Sequence, residues 1–351
     1  MSTSGTYSFS QTQSSEIYNY AYKLIDIEPG VLVPNDIYYA QQIANFILSS
    51  WINNGLNLWT VQQGALLTLI PNKSTYELPS HAIDVLEAAL RTSVRALGGS
   101  AFSSSGVAQN AFDGNPATSC LATGPDATIG YDYGQGNSSN IITMLGIKSN
   151  TEKTYIISFQ SSSDGINWET IQTIPQTNYS AGQLIWYSID SPVSSQYYRI
   201  LETGGSELDI QELYFNNNVF DIWMTAYSRS DYMTYPNKYI QGRPIQYQTN
   251  RIINPTITIW PVPSPLYMTL IYNYKRAIQD IGSLLNSPDI PQRFYMPLAL
   301  GIASQLSITK KPELSAILNS RYEQAFNRAL QEDTEKYINF NLDFDTSCYT
   351  P

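Results

Sequence analysis

A short loop, QNAFDGNPATS at residues 109–119, holds one carboxylate, Asp113, and a hydroxyl five positions later, Thr118. Oxygen groups set among small, turn-forming residues serve one of two ends. They hold the loop by side-chain hydrogen bonds, as Asx turns do, or they open a metal site. Little else in the chain is built for chemistry. His81 is the only histidine, and PSHAIDV around it contains no nucleophile motif. It is expected at the surface. Asp343 and Asp345 lie in an extended tail and read as solvated, not as an acid–base pair. No phosphate-binding loop, dinucleotide fingerprint or zinc spacing is present. The expectation is a protein that is not an enzyme and requires no cofactor.

The 351 residues suffice for two domains of ordinary size, and at 42% hydrophobic each can bury a core. Aromatics make up 13%, mostly the 27 tyrosines, while charged residues reach only 14%. The net charge of −10 is uneven: residues 98–216 hold eleven acidic and three basic residues, and the remainder is nearly balanced. A nucleic-acid grip by the whole protein is disfavoured, because phosphate contacts need clustered Lys and Arg. Cys120 and Cys348 make neither a disulfide framework nor a zinc site. The start MSTSGTYSFSQ has no signal-peptide pattern, and no apolar run approaches a membrane span. The expectation is a soluble protein made in a cytoplasm, without membrane contact.

The chain reads in three parts. In residues 1–97, Ser14 or Ser15 is expected to cap a helix bearing Ile17, Tyr18, Ala21 and Leu24. A second helix starts near Pro34, with Asn35 as a cap. Ile37, Ala40, Ala44, Ile47 and Trp51 share one of its faces. TVQQGALLTLI and STYELP read as strands, and AIDVLEAALRTSV is ambiguous. Residues 98–216 change character at Gly98-Gly99-Ser100. Short β-branched and aromatic runs between turn clusters favour an antiparallel sandwich or barrel. Asp164-Gly165 marks a hairpin, with Trp168 expected in the core. In residues 217–351, TITIW and YMTLIYNYKR read as strands. PQRFYMPLALGIASQLS reads as a helix that Pro297 kinks or delays. KPELSAILNSRYEQAFNRALQED is the clearest helix, with Leu318, Tyr322, Ala325 and Ala329 on one face. In GRPIQY, Gly242 is expected to relieve a turn that Pro244 locks, and Arg243 is expected in solvent.

The middle part resembles the discoidin, or coagulation-factor type C, domains and their carbohydrate-binding relatives. NAFDGNPATS, FQSSSDGINW, QYYRI and DIQELYF carry the resemblance, in family order. Ser119-Cys120-Leu121 stands where the family often has a Trp. The resemblance implies a structural calcium ion, which takes six to eight oxygens, many of them carbonyls. Asp113 would give a carboxylate, Asn110 and Asn115 carbonyls, and Thr118 a carbonyl or hydroxyl. Glu212 would close the site from the last strand. Hydrogen bonding alone remains the other reading of this loop.

The outer parts resemble the head-to-tail adaptors of short-tailed phages, the tail tubular protein A family. ANFILSSWINNGLNLWTVQQGALLTLIPNKSTYELP carries this before the middle part. YMTYPNKYIQGRPIQYQ, ITIWPVPSPLYMTLIYNYKRAIQD and FYMPLALGIASQLS carry it afterwards. The expected fold is α+β: a mostly helical adaptor domain with a small antiparallel sheet, interrupted by an inserted all-β sandwich. That gives an adaptor domain at 1–97 and 217–351 and an insert at 98–216.

The resemblance implies a virion protein forming a ring, typically of twelve copies, between the portal protein and the tail nozzle protein. DNA would pass through the lumen without sequence-specific binding. Residues 335–351 could add a strand to a neighbour. The insert would contact tail proteins, a tail fibre or glycans. Tyr131, Tyr133 and Tyr179 are the aromatic groups in apparent loops that a sugar site could use. The alternative is a carbohydrate-binding protein that displays a discoidin-like module.

Overall fold

The structure is a computed structural model that describes residues 13–53, 58–134, 141–265 and 268–333. Residues 335–351, with Asp343, Asp345 and Cys348, lie outside the described residues. The chain opens with helices α1 (Ser14–Leu24) and α2 (Pro34–Trp51), then strands β1 (Val61–Thr68), β2 (Thr75–Glu77) and β3 (Ala82–Arg95). The middle part supplies β4 (Ser100–Ser103), β5 (Cys120–Ala122), β6 (Thr128–Asp132), β7 (Met144–Ser149) and β8 (Lys153–Ser162). It continues with β9 (Glu169–Tyr179), β10 (Leu184–Ser188), β11 (Tyr197–Glu202) and the long β12 (Leu208–Trp223). After it come β13 (Thr225–Ala226), α3 (Arg229–Thr234), β14 (Gln241–Gly242), β15 (Gln246–Asn250) and β16 (Thr256–Trp260). The described chain ends with β17 (Val262–Pro263), β18 (Thr269–Arg276), α4 (Tyr295–Lys310) and α5 (Pro312–Glu332). No described helix is long and apolar enough to cross a membrane.

The chain divides into two compact units, residues 1–61 with 275–351 and residues 62–274. The first is helical. Ala40, Ala44, Ile47, Leu48 and Trp51 of α2 pack with Leu298, Ile302, Leu306, Leu318 and Phe326. Trp51 lies 5.2 Å from the Phe326 ring and 5.5 Å from that of Phe294, and its indole N–H donates to Tyr322 Oη at 2.9 Å. The helix caps differ from expectation. Ser14 is the first helical residue of α1, and its hydroxyl donates to Asn286 O. Asn35 lies inside α2, where Asp36 accepts from the Val33 N–H instead. A carboxylate at the third helical position satisfies one of the orphan amides there. Pro297 falls in the first turn of α4, where its missing N–H costs nothing, so the helix starts late, at Tyr295.

Among its described residues the second unit is strand and loop apart from α3 and a short 3₁₀ turn. Its ambiguous segment, 82–95, is a fourteen-residue strand. The sheet outside the middle part is therefore larger than the small one expected. A seven-stranded sheet runs β1-β18-β3-β12-β7-β10, with β5 also on β12. Against its β1-β18-β3 end packs the four-stranded sheet β13-β15-β16-β2, enclosing Tyr76, Leu90, Tyr247, Ile257, Ile259 and Leu270. This interior mixes residues from before and after the middle part. Gly242 adopts no left-handed conformation and pairs with Pro263, so GRPIQY is not a glycine-dependent turn. Arg243 is exposed.

The middle part is a sandwich. The five-stranded sheet β4-β6-β11-β8-β9 faces β10-β7-β12. Ile129, Ile147, Phe159, Tyr198, Leu213 and Phe215 fill the space between. Gly165 takes φ +72° in the β8–β9 turn, while the Asp164 carboxylate accepts from the Ile166 and Asn167 amides at 2.8 Å each. These bonds hold the Asp164 carboxyl well below the usual range.

At the start of the sandwich Gly98 has φ +105°, and Gly99 exchanges hydrogen bonds with Tyr131 Oη at 3.1 Å. A Cβ on Gly99 would stand 1.9 Å from Asp132 O, so backbone would have to move. Gly99→Ala is expected to destabilise the second unit by about 3 kcal/mol, the cost of severe overpacking. Urea unfolding of the full chain measures it. Unchanged stability would contradict this approach of β6 to the start of β4.

Candidate functional site

The loop 109–119 follows a 3₁₀ turn, Ala108–Ala111, and reverses at Gly114, φ +75°. Asp113 Oδ1 accepts from the Asn115 amide at 2.8 Å, and Thr118 Oγ1 lies 2.9 Å from Asp113 Oδ2 and from Asn115 O. Asn115 Oδ1 accepts from the Ala117 amide at 3.1 Å. Asn110 Nδ2 donates to Ser119 O at 3.0 Å, fastening the loop's two ends. Asp113, Asn115 and Thr118 thus form one hydrogen-bonded turn.

Glu212 reaches this loop from β12. It is 2% exposed, and its Oε2 accepts from Arg95 Nη2 at 3.1 Å. Burial pushes the Glu212 carboxyl above its ordinary range and the neighbouring charge of Asp113 adds to that; Arg95 and the Gly114 amide pull it back. Its other oxygen, Oε1, is buried with no hydrogen-bond partner among the described residues. A buried carboxylate oxygen left unsatisfied beside a second carboxylate is the environment a cation relieves. No three His, Cys, Asp or Glu side chains gather among the described residues. Most ligands would therefore be carbonyl and hydroxyl oxygens, which suits calcium and not zinc. The residues present fit the ion. Asp113 and Glu212 would supply its charge neutralisation, and the ion would tie the loop to β12.

Arg95 was not legible as a site residue. It ends β3, and its Nη2 also donates to Leu213 O at 2.7 Å and Ala111 O at 3.3 Å. Its guanidinium stacks 4.5 Å from the Tyr214 ring centroid. The only sequence signal is a cation, the second of Arg91 and Arg95, next to an acid-rich segment.

The aromatic candidates fall elsewhere. Tyr131, Tyr133 and Tyr179 are on or beside strands and buried, so none is a sugar platform. Buried rings fit here because each hydroxyl finds a partner: Tyr131 with Gly99, Tyr133 with Ala96 O, Tyr179 with Tyr187 Oη at 2.6 Å. Trp168 is not core. It is half-buried outside the five-stranded sheet, with the Arg199 guanidinium 4.0 Å over its ring and Phe102 and Tyr197 at its edges. His81 is exposed, and its Nε2 lies 3.0 Å from Tyr274 Oη. Cys120 is a buried free thiol whose pKa burial raises.

Two measurements bear on this site. Arg95→Met strands the buried Glu212 carboxylate and is expected to cost about 3 kcal/mol in equilibrium unfolding, as breaking a buried pair does. An effect near zero would mean that the pair is not buried in solution. Added calcium is expected to raise the melting temperature of the wild-type chain and leave that of Asp113→Ala unmoved. No shift in the wild type at millimolar calcium would remove the ion from the site.

Residues 96–212 match the family model described as the F5/8 type C domain. No curated protein matches the sequence. Among solved structures the chain is similar to the CBM32 of AlyQ in complex with 4,5-unsaturated mannuronic acid, at 18% identity and TM-score 0.30, over 36% of this chain and 98% of that one. It is also similar to an F5/8 type C domain from Bacteroides fragilis, at 14% identity and TM-score 0.31, over 37% and 97%. A third is the family 32 carbohydrate-binding module of Clostridium perfringens NanJ in complex with galactose, at 15% and 0.28, over 38% and 98%. The family match falls in the middle of the chain and lends the adaptor resemblance of the outer parts no support. The chain carries an F5/8 type C domain at residues 96–212.

Proposed function

We propose that this protein binds carbohydrate through its F5/8 type C domain, with the remaining residues serving as a host that displays and orients it. The observation that carries this is the match of residues 96–212 to a domain family with carbohydrate-binding members. Calcium, where bound, would stiffen the loop 109–119 and take no part in chemistry.

A second reading rests on the host. Residues 69–90 and 224–274 close over one interior, so the domain is inserted into a fold that both flanks complete. That topology suits an assembly protein carrying an outward domain. On this reading the chain forms a ring, of about twelve copies by resemblance, between portal and nozzle proteins in a virion. DNA passes through its lumen without sequence-specific contact, and the domain meets glycans or a tail fibre. Both readings give the domain a ligand, and they differ in what the host does.

A glycan array probed with the full chain tests the leading reading. Saturable binding to a related subset of glycans is expected. Monosaccharide affinities near about 1 mM, or roughly 4 kcal/mol, would suffice once several copies act together. No retention of any glycan, with rings seen by negative-stain imaging in the presence of a portal protein, would favour the adaptor and unseat the carbohydrate reading.

A further inference from the structure

Within the second unit a cleft of about 840 Å³ lies between the β1–β2 connection and the outer face of the domain's smaller sheet. Leu145, Ile147, Leu213 and Phe215 point into the sandwich, so alternation turns Lys148 and Tyr214 outward, into the cleft. Opposite stand Leu66, Leu69, Ile70 and Lys73 of the host.

Lys148 is unusual. The acid-rich segment 98–216 has three basic residues. Lys153 pairs with Glu207 and Arg199 stacks on Trp168, but Lys148 makes no ion pair or hydrogen bond with a described residue. Its cross-strand neighbour Glu212 gives its carboxylate to Arg95 instead. Lys148 is nevertheless half-buried. Tyr214 is fixed between the Arg95 guanidinium, at 4.5 Å, and the Trp186 ring, at 5.4 Å. Its hydroxyl has no partner among the described residues. Lys73, from the host side, rests over Tyr76 at 5.3 Å and meets no carboxylate. The single acid in the lining is Glu77, which is exposed at the rim.

Two lysines and a tyrosine therefore line a cleft whose other walls are mostly aliphatic, with Thr68, Glu77 and Gln183 as further polar groups. The cations ask for an anion, and the leucine and isoleucine walls ask for a flat, partly apolar body. A hexuronate ring has both a carboxylate and apolar C–H faces. We infer that this cleft binds a uronic-acid-containing oligosaccharide, its carboxylates held by Lys148 and Lys73 and its hydroxyl groups by Tyr214 and Gln183. The inference rests on the carbohydrate reading and deepens it, since the host supplies half of the site. The domain alone would lack Lys73 and one wall.

Calorimetric titration of the full chain with trigalacturonate tests this, beside its neutral galactose counterpart and a glutamate tripeptide. Trigalacturonate is expected to bind, and more weakly as salt rises. Lys148→Met and Lys73→Ala should each weaken it by about tenfold, the loss of one charged hydrogen bond. Tyr214→Phe, which keeps the stack, should weaken it less. Lys73 is exposed, so Lys73→Ala reports on the cleft even if a change at Lys148 disturbs folding. Unchanged trigalacturonate binding in both lysine variants overturns the inference, as does equal affinity for the peptide. Binding of the neutral sugar alone, untouched by either change, also overturns it but leaves the carbohydrate reading intact. Only failure of every glycan removes both.

Discussion

Strand β12 must satisfy two interiors with one backbone. Its first half, in register Leu213 with Ile147 and Phe215 with Leu145, sends alternate side chains into the sandwich of the F5/8 type C domain. Its second half pairs with β3, Ile222 opposite Leu90, and turns Ile222 to the host core. A period of two allows no slack, since a slip of one residue would exchange every buried side chain for an exposed one. Within its pairing to β3 the strand carries a bulge between Asn217 and Phe220, where Asn218 takes φ +49°. Asparagine tolerates this conformation better than most residues. The two cores are thus set in register with each other by covalent continuity.

The same crossing explains Arg95. There β3 stops pairing with β12, and β5 takes up pairing only at Leu208–Ile210. The intervening edge would leave carbonyl groups unmet. The guanidinium fills that gap, donating to Leu213 O and Ala111 O while neutralising Glu212. All three bonds come from Nη2, while the buried Nε has no hydrogen-bond partner among the described residues. The oxygen-rich loop 109–119 is therefore anchored on a residue that belongs to the host strand. Glu212, which reaches the loop from β12, sits in the field of that cation.

Much of this was legible in local pattern. The α2 face, the α5 face, the sandwich and its turn at Gly165 follow from spacing and turn chemistry, because each is decided by near neighbours. Several misreadings share a cause: they needed partners distant in sequence. Trp168 has the residue type of a core position, yet Arg199 from another strand makes a half-exposed ring stable there. Tyr131, Tyr133 and Tyr179 looked like loop tyrosines because their flanks are rich in Gly, Asn and Asp, whereas the strands that bury them lie elsewhere in the chain. The segment 82–95 could have been helix or strand, and its pairing with β12 and β18 decides. Asp113, Asn115 and Thr118 declared themselves by motif; Arg95 could not, since its role depends on where β3 ends.

An appended binding domain on a flexible linker samples many orientations, and its host is indifferent to them. This domain is held otherwise. The chain enters from β3 by four residues, 96–99, of which Ala96 donates to Phe215 O and Gly99 is clasped by Tyr131. It leaves through β12 with no break in the ladder apart from the bulge. Two strands, both hydrogen-bonded across the junction, resist bending and twisting together in a way that one cannot. The domain's orientation on the host sheet is then a property of the fold. A cleft whose walls come from both sides can then keep its dimensions. That coupling separates this arrangement from a tethered module, and it follows from strand continuity alone.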